Sequence, residues 1–207
     1  KKNIKILKPI ITLEKAVGEL TIGLILNLLR KINTHDKNLK LKIWKKEMGN
    51  LLYKKNVGII GYGKIGNYVG KLAKAFGANI LINDVKNIKN KTNLKNIFKY
   101  SDIVTIHSNF IKQNFKLINK KYLKFLKKNS IIINTSRSEI IDYEYLYYLL
   151  KHNKIRGAAL DVFDIEPYYG KLIKLENTIL TPHIGSYASE IRNQMEKEAV
   201  NSIIKYR

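Results

Sequence analysis

Between Asn56 and Leu180, short runs of β-branched and aliphatic residues alternate with stretches in which apolar positions recur every three to four residues. The first pattern predicts strands and the second amphipathic helices; their alternation is the mark of βαβ units around a parallel sheet. Strands are expected over 57–60, 79–82, 103–107, 131–134, 158–162 and 178–180, and helices over 64–76, 93–100, 119–128, 142–152 and 189–205. Local punctuation agrees. Gly77 follows Lys74-Ala75-Phe76 as a helix stop, Asp142 stands where an N-cap is needed, and Ser130 opens a strand of three isoleucines. Residues 86–93, KNIKNKTN, are polar enough for a surface loop.

Upstream, residues 13–32 (LEKAVGELTIGLILNLLRKI) repeat apolar positions at helical spacing, and Ala16 to Leu29 is the most hydrophobic stretch of the chain. Glu19 and Asn27 interrupt it before it reaches the roughly 18 unbroken apolar residues of a membrane span, so a helix buried against another element is expected. No secretory layout of charged, apolar and small-residue regions is visible, so a soluble, cytoplasmic protein without a membrane partner is expected. The organisation is then a leading helix and linker over 1–55, an α/β unit over 56–186, and a closing helix within 187–207.

One turn carries a specific chemical signal. Gly61-Tyr62-Gly63-Lys64-Ile65-Gly66 follows the apolar run VGII and opens an amphipathic helix. In that context Gly61 permits the tight turn, Gly63 lets backbone approach a pyrophosphate, and Gly66 lets helix and strand pack closely. The next strand, NILIND, ends in Asp84, 18 residues after Gly66, where a carboxylate can accept hydrogen bonds from an adenosine ribose. Strand, glycines, helix, strand and acid in that order predict a Rossmann-type, doubly wound parallel sheet that binds a dinucleotide. Asp84 favours NAD over NADP, since its charge would repel a 2′-phosphate, although Lys86 and Lys89 place cations nearby.

Ligands of such sheets sit beyond the strand ends. Three segments there carry ionisable groups: Asn134-Thr135-Ser136-Arg137, Leu160 to Pro167 (LDVFDIEP), and Thr181-Pro182-His183-Ile184-Gly185. A cation, a carboxylate and an imidazole together suit hydride transfer. Singly, His183 after a proline reads as a loop residue, Arg137 as a surface charge and Glu166 as a turn acid; their joint placement argues otherwise. His107 ends a strand and reads equally well as a cleft-lining or a satisfied core residue. His35 and His152 read as solvent-facing, Trp44 as packing near the leading helix, and Tyr143 to Tyr148 as core and helix surface.

Composition narrows the functional classes. The 207 residues suffice for one ordinary domain, or one plus a fragment, and 45% apolar residues can build its core. Cysteine is absent, so disulfides, thiolate metal sites and thiol redox chemistry are excluded, and no metal site is expected. Lys and Arg total 39 against 16 Asp and Glu, a net charge of +23. The 34 lysines and 5 arginines are scattered from Lys1 to Arg207 and form no block, which argues against nucleic acid as a partner.

With these motifs in hand, the sequence resembles the D-isomer-specific 2-hydroxyacid dehydrogenases, which include phosphoglycerate, glycerate, formate and D-lactate dehydrogenases. The resemblance covers nearly the whole chain. EKAVGELTIGLILNLLR is similar to the family's hinge helix, VGIIGYGKIG to its glycine motif, and NTSR, GAALDVFDIEP and TPHIG to its active-site signatures, in order. It implies an NAD-dependent oxidoreductase acting on a small 2-hydroxy or 2-oxo acid and working as a homodimer. His183 is then the general acid/base, Glu166 its carboxylate partner and Arg137 the group that binds the substrate carboxylate. Lys64 and Ile65 line the pyrophosphate turn, Ser108, Thr135 and Ser136 lie along the cofactor, Asp161 meets the nicotinamide carboxamide, and Arg137, His183 and Gly185 contact the cofactor as well.

The resemblance also marks departures. The hinge-like helix arrives at residue 13, so the family's N-terminal substrate domain is expected to be largely absent and these residues alone to be inactive. Ser138-Glu139 stand where the family often has two glycines, and Asn109 where a proline is usual. A non-catalytic, NAD-responsive interaction module of corepressor type is the alternative; retention of Arg137, Glu166 and His183 speaks against it.

Overall fold

The computed structural model describes residues 12–205. Six strands, β1 (Asn56–Ile60), β2 (Asn79–Asn83), β3 (Ile103–Ile106), β4 (Ile131–Asn134), β5 (Gly157–Leu160) and β6 (Thr178–Leu180), form one sheet in the order β2-β1-β3-β4-β5-β6. Every ladder is parallel, with Val57 opposite Ile103 and Ile131 opposite Gly157. The expected doubly wound architecture is therefore present. Strand order reverses between β1 and β3, and the crevice at that switch point is where such sheets place ligands. Beyond β2 the sheet edge carries only the isolated Ile82–Lys91 bridge among the described residues.

The isoleucine-rich strands are buried on both faces because helices cover both. On one face Val104, Ile106, Ile132 and Leu160 pack with Ile97, Phe98, Leu123, Leu146 and Leu150. These come from α4 (Leu94–Tyr100), α5 (Lys120–Leu123) and α6 (Tyr143–Lys151). On the other, Val57, Ile59, Ile131 and Ile133 pack with Ile22, Ile25, Leu29, Val69 and Ala73, from α1 (Glu14–Arg30) and α3 (Lys64–Ala75). The apolar stretch read as a buried helix thus docks on the sheet, with Ile25 fully enclosed. No helix among the described residues is long and apolar enough to cross a membrane.

Boundaries differ from expectation where local hydrogen bonds decide. Residues 33–55 are not all linker: α2 spans Ile32–Lys40, after α1 ends at Lys31 in the left-handed region (φ 55°). The helix expected over 119–128 stops at Leu123, because the N–H groups of Phe125 and Leu126 bond the carbonyls of Tyr122 and Leu123, three residues back, and tighten the chain out of the α form. β3 ends before His107, and β5 ends before Asp161 and Val162, which frees Asp161 for the loop beyond. Trp44 does not pack near α1 as expected; it is 80% exposed, on a segment where Ile43, Met48 and Leu51 are exposed too. The closing helix α7 (Ser189–Ile204) buries no residue. Residues 1–11 of the expected leading segment, and 206–207 of the closing one, lie outside the described residues.

Asp142 does cap α6, accepting from the Tyr145 N–H at 3.2 Å, and Gly77 adopts φ +77° after α3. A β-carbon on Gly66 would run into the Gly61 carbonyl oxygen, so the closeness of α3 to the glycine turn depends on hydrogen at that position. Gly66→Ala is expected to destabilise the fold by about 1–3 kcal/mol; chemical denaturation should show the midpoint falling at unchanged slope.

His107 extends from β3 with Nε2 2.9 Å from the Thr105 hydroxyl, while Nδ1 is buried and has no partner among the described residues. Burial pushes its pKa down to about 3. The folded state thus refuses a proton that the unfolded chain takes up near the ordinary 6.5. Stability from this source is complete above that value and is lost as pH falls towards 3. Acid denaturation of His107→Gln should show a shallower stability loss across that window than the parent.

Candidate active site

Gly61 adopts φ +86°, donates its N–H to Asn83 at 2.8 Å, and lies so close to His107 and Ser108 that a side chain would collide with their backbone. Gly63 is the N-cap of α3 and meets nothing within 4 Å of where its β-carbon would stand. No side chain caps α3, so the first-turn N–H groups of Lys64, Ile65 and Gly66 face that open space. The turn is therefore a cradle beside the positive end of a 12-residue helix, shaped for a pyrophosphate. Asp84 closes its far side: one carboxylate oxygen accepts the Tyr62 N–H at 2.6 Å and the other the Lys86 N–H at 2.9 Å. The residues present fit a bound dinucleotide.

The three ionisable segments emerge from β4, β5 and β6 at the same sheet edge. After β4, Asn134 folds the chain back on itself. Its Oδ1 accepts from the Ser136 N–H (3.0 Å) and hydroxyl (2.9 Å), and its Nδ2 donates to the Arg137 carbonyl at 3.0 Å. Thr135 shares a buried hydrogen bond of 3.1 Å with Thr21, tying this loop to α1. Arg137 is exposed and donates to the Ser136 carbonyl at 2.6 Å.

Asp161, 1% exposed, is the anchor of the histidine segment. It accepts from the Thr181 hydroxyl (2.6 Å), the Ile184 N–H (2.8 Å) and the Gly185 N–H (2.9 Å). His183 sits between these tethers in the left-handed region, φ 54°, a conformation that a residue with a β-carbon adopts only when its surroundings hold it there. Its Nδ1 lies 3.0 and 3.2 Å from the two oxygens of Glu166. Glu166 in turn accepts the Phe163 N–H at 3.1 Å. Burial raises the Glu166 pKa, but the hydrogen bonds from His183 and Phe163 and the positive fields of His183 and Arg137 outweigh it, and the net shift is downward. The carboxylate thus stays ionised and keeps Nδ1–H pointed at itself, leaving Nε2 as the nitrogen free to exchange a proton.

The structure thus brings His183 and Glu166 into contact and sets Arg137 near enough to act on Glu166. The glycine turn and Asp84 lie at the switch point along the same edge. Sequence reasoning missed Asn134, Tyr143 and Thr21, which support these residues without carrying their chemistry. Asp161 was singled out for a different task from the tether it forms. Its pairing with Thr181 had a signal: both lie just past adjacent strands.

Residues 22–185 match the family model described as D-isomer specific 2-hydroxyacid dehydrogenase, NAD binding domain. The chain is 37% identical over 209 residues to a glyoxylate reductase of Thermofilum pendens, covering 93% of this chain and 62% of that protein. It is 34% identical over 215 residues to a hydroxypyruvate reductase of Thermotoga maritima, covering 99% and 70%. Among solved structures it superposes on a D-lactate dehydrogenase of Aquifex aeolicus complexed with NAD and lactic acid, with a TM-score of 0.85 at 25% identity, covering 93% and 66%. The chain spans under two thirds of the length of the glyoxylate reductases it matches. Its glycine turn and its three strand-end segments lie within the matched region, and the chain belongs to the D-isomer-specific 2-hydroxyacid dehydrogenase family, to its NAD-binding domain.

Proposed function

We propose that the chain is the cofactor-binding part of an NAD(H)-dependent enzyme that interconverts small 2-hydroxy and 2-oxo acids, of the size of glyoxylate or hydroxypyruvate. The observation that carries this is the His183–Glu166 pair, tethered through Asp161 at the sheet edge that also bears Arg137 and the glycine turn. When bound, the nicotinamide supplies the hydride in reduction and accepts it in oxidation. Arg137 turns its planar fork to the substrate carboxylate and polarises the neighbouring carbonyl. His183 gives a proton to, or takes one from, the substrate oxygen through Nε2, and Glu166 stabilises the charged ring and fixes its orientation.

Gly61, Gly63, Lys64, Ile65 and Gly66 hold the pyrophosphate, and Asp84 takes the adenosine ribose. Ser108, Thr135, Ser136, Asp161 and Gly185 line the nicotinamide half. NAD is favoured over NADP because the Asp84 carboxylate, pinned by two backbone N–H groups, would face a 2′-phosphate. The exposed apolar segment with Ile43, Trp44, Met48 and Leu51 supports a homodimer, in which a second copy covers it. α7, which buries nothing here, is assigned to contact with the part of the relatives' length that this chain does not span.

The decisive experiment is turnover of NADH with a panel of 2-oxo acids by the full-length protein. His183→Gln should lower kcat by roughly 10²–10⁴-fold, the range for loss of a positioned acid/base, with NADH binding intact by calorimetry. Equal turnover by parent and variant would remove the assignment. Gly63→Ala, whose methyl meets no protein atom, should leave the melting temperature nearly unchanged while weakening NADH binding at least tenfold, since it intrudes on the anion cradle. Because the Glu166 pKa lies below its ordinary 4.5, protonation of that carboxylate should not limit kcat/KM above that pH. A pH profile with an acidic limb above 4.5 that vanishes in Glu166→Gln would contradict the pairing.

A further inference from the structure

We propose that Tyr143 is a positioning residue that clamps the Arg137 loop to the Glu166 loop, and so sets the distance between substrate-binding cation and acid–base pair; this rests on the reading of the site given above. The β4–β5 ladder ends at Asn134–Leu160, with one last bond from the Asp161 N–H to the Asn134 carbonyl at 2.9 Å. Past that point the loops leave the sheet, one towards Arg137 and the other towards Glu166. Among the described residues the Tyr143 hydroxyl is the group that joins them. It donates to the Val162 carbonyl at 2.8 Å and accepts from the Asn134 amide at 3.2 Å. That same amide donates to the Arg137 carbonyl, and Phe163, next to Val162, donates its N–H to Glu166.

The chain of contacts is continuous: Arg137 backbone, Asn134 amide, Tyr143 hydroxyl, Val162 carbonyl, Phe163 N–H, Glu166 carboxylate, His183 ring. The Val162 carbonyl and the Phe163 N–H belong to one peptide unit, the other links are hydrogen bonds of 2.8–3.2 Å, and the hydroxyl at the centre is part-buried. Burial foremost pushes its pKa upward, so it remains a donor across the working pH range. Tyr143 is the first residue of α6, just after the Asp142 cap, so the ring is anchored at the point where the Arg137 loop runs into that helix. A hydroxyl is needed because it must donate to one loop and accept from the other; a phenyl ring would fill the volume and do neither.

The test is Tyr143→Phe in the full-length protein, which keeps the ring. We expect unchanged NADH affinity, a kcat reduced roughly tenfold, as for one buried hydrogen bond left unmade, and an acidic limb of kcat/KM moved upward as Glu166 loses its fixed Phe163 donor. Oxamate, an unreactive 2-oxo acid mimic, should bind the NADH complex about tenfold more weakly by calorimetry. In a double-mutant cycle with Glu166→Gln, the two losses should be less than additive if Tyr143 acts through the Glu166 loop. A lowered melting temperature with unchanged oxamate affinity and pH profile, or strict additivity in the cycle, would overturn the proposal and leave Tyr143 a packing residue. If the parent protein binds oxamate but reduces no 2-oxo acid, the proposed function fails, while the oxamate comparison still decides the role of Tyr143.

Discussion

The carboxylate of Asp161 is the constraint on which the rest of the site depends. It is enclosed, and a charge removed from water is costly unless its oxygens are occupied by donors. Three donors from residues 181–185 meet that requirement, so the solvation of one buried group dictates the path of a whole loop. His183 lies inside that path and inherits a backbone conformation it would not choose alone. The strain, of order 1–3 kcal/mol for such a residue, is offset by charge-assisted bonds that are individually of similar size. The precision of the His183–Glu166 contact therefore comes from a group that need not touch a substrate to matter.

A second constraint runs through the glycine turn. Two of its glycines are demanded by the protein itself: Gly61 by a positive φ and the backbone of residues 107–108, Gly66 by the carbonyl of Gly61. Gly63 is different, since no protein atom occupies the place of its missing side chain. Open space beside an uncapped helix N-terminus has no packing explanation, and an anion seated there accounts for both features.

Much of this was legible in the sequence because parallel sheets impose patterns of low ambiguity. All six strands were expected within one or two residues, since an isoleucine run between two helix-period stretches has few other places to go. The ionisable residues past β4, β5 and β6 were legible for the same reason, the strand ends being readable. What escaped was side-chain geometry across chain distances. Nothing in Tyr143-Glu144-Tyr145 separates the tyrosine that turns its hydroxyl to two loops from the one stacked on Tyr148, because both stand in the first turn of α6 and differ only in the face they occupy. Trp44 escaped for the opposite reason: a large aromatic is expected to be buried, and that expectation carries no information on which aromatics a fold leaves exposed. The truncated helix at Leu123 followed from competition between hydrogen-bond patterns that apolar spacing alone does not resolve.

The uneven charge takes on a definite shape once the acids are placed. Of the 16 carboxylate side chains, several are committed to the framework: Asp84 at the glycine turn, Asp142 capping α6, Asp102 bonded to Asn56 and Lys127, Asp161 under the histidine loop and Glu166 on His183. These five acids stand where a specific donor requires one, while the lysines are scattered along the whole chain. With a net charge of +23, the field around the chain as a whole is positive. Such a field draws anions of any kind, which makes it poor evidence for nucleic acid and reasonable support for ligands that are themselves anionic, a pyrophosphate and a small carboxylate among them. Selectivity cannot come from that field. On the proposed function it comes from the fork of Arg137, the cradle at Gly63 and the imidazole of the loop that Asp161 tethers, groups that recognise shape and hydrogen-bond direction as well as charge.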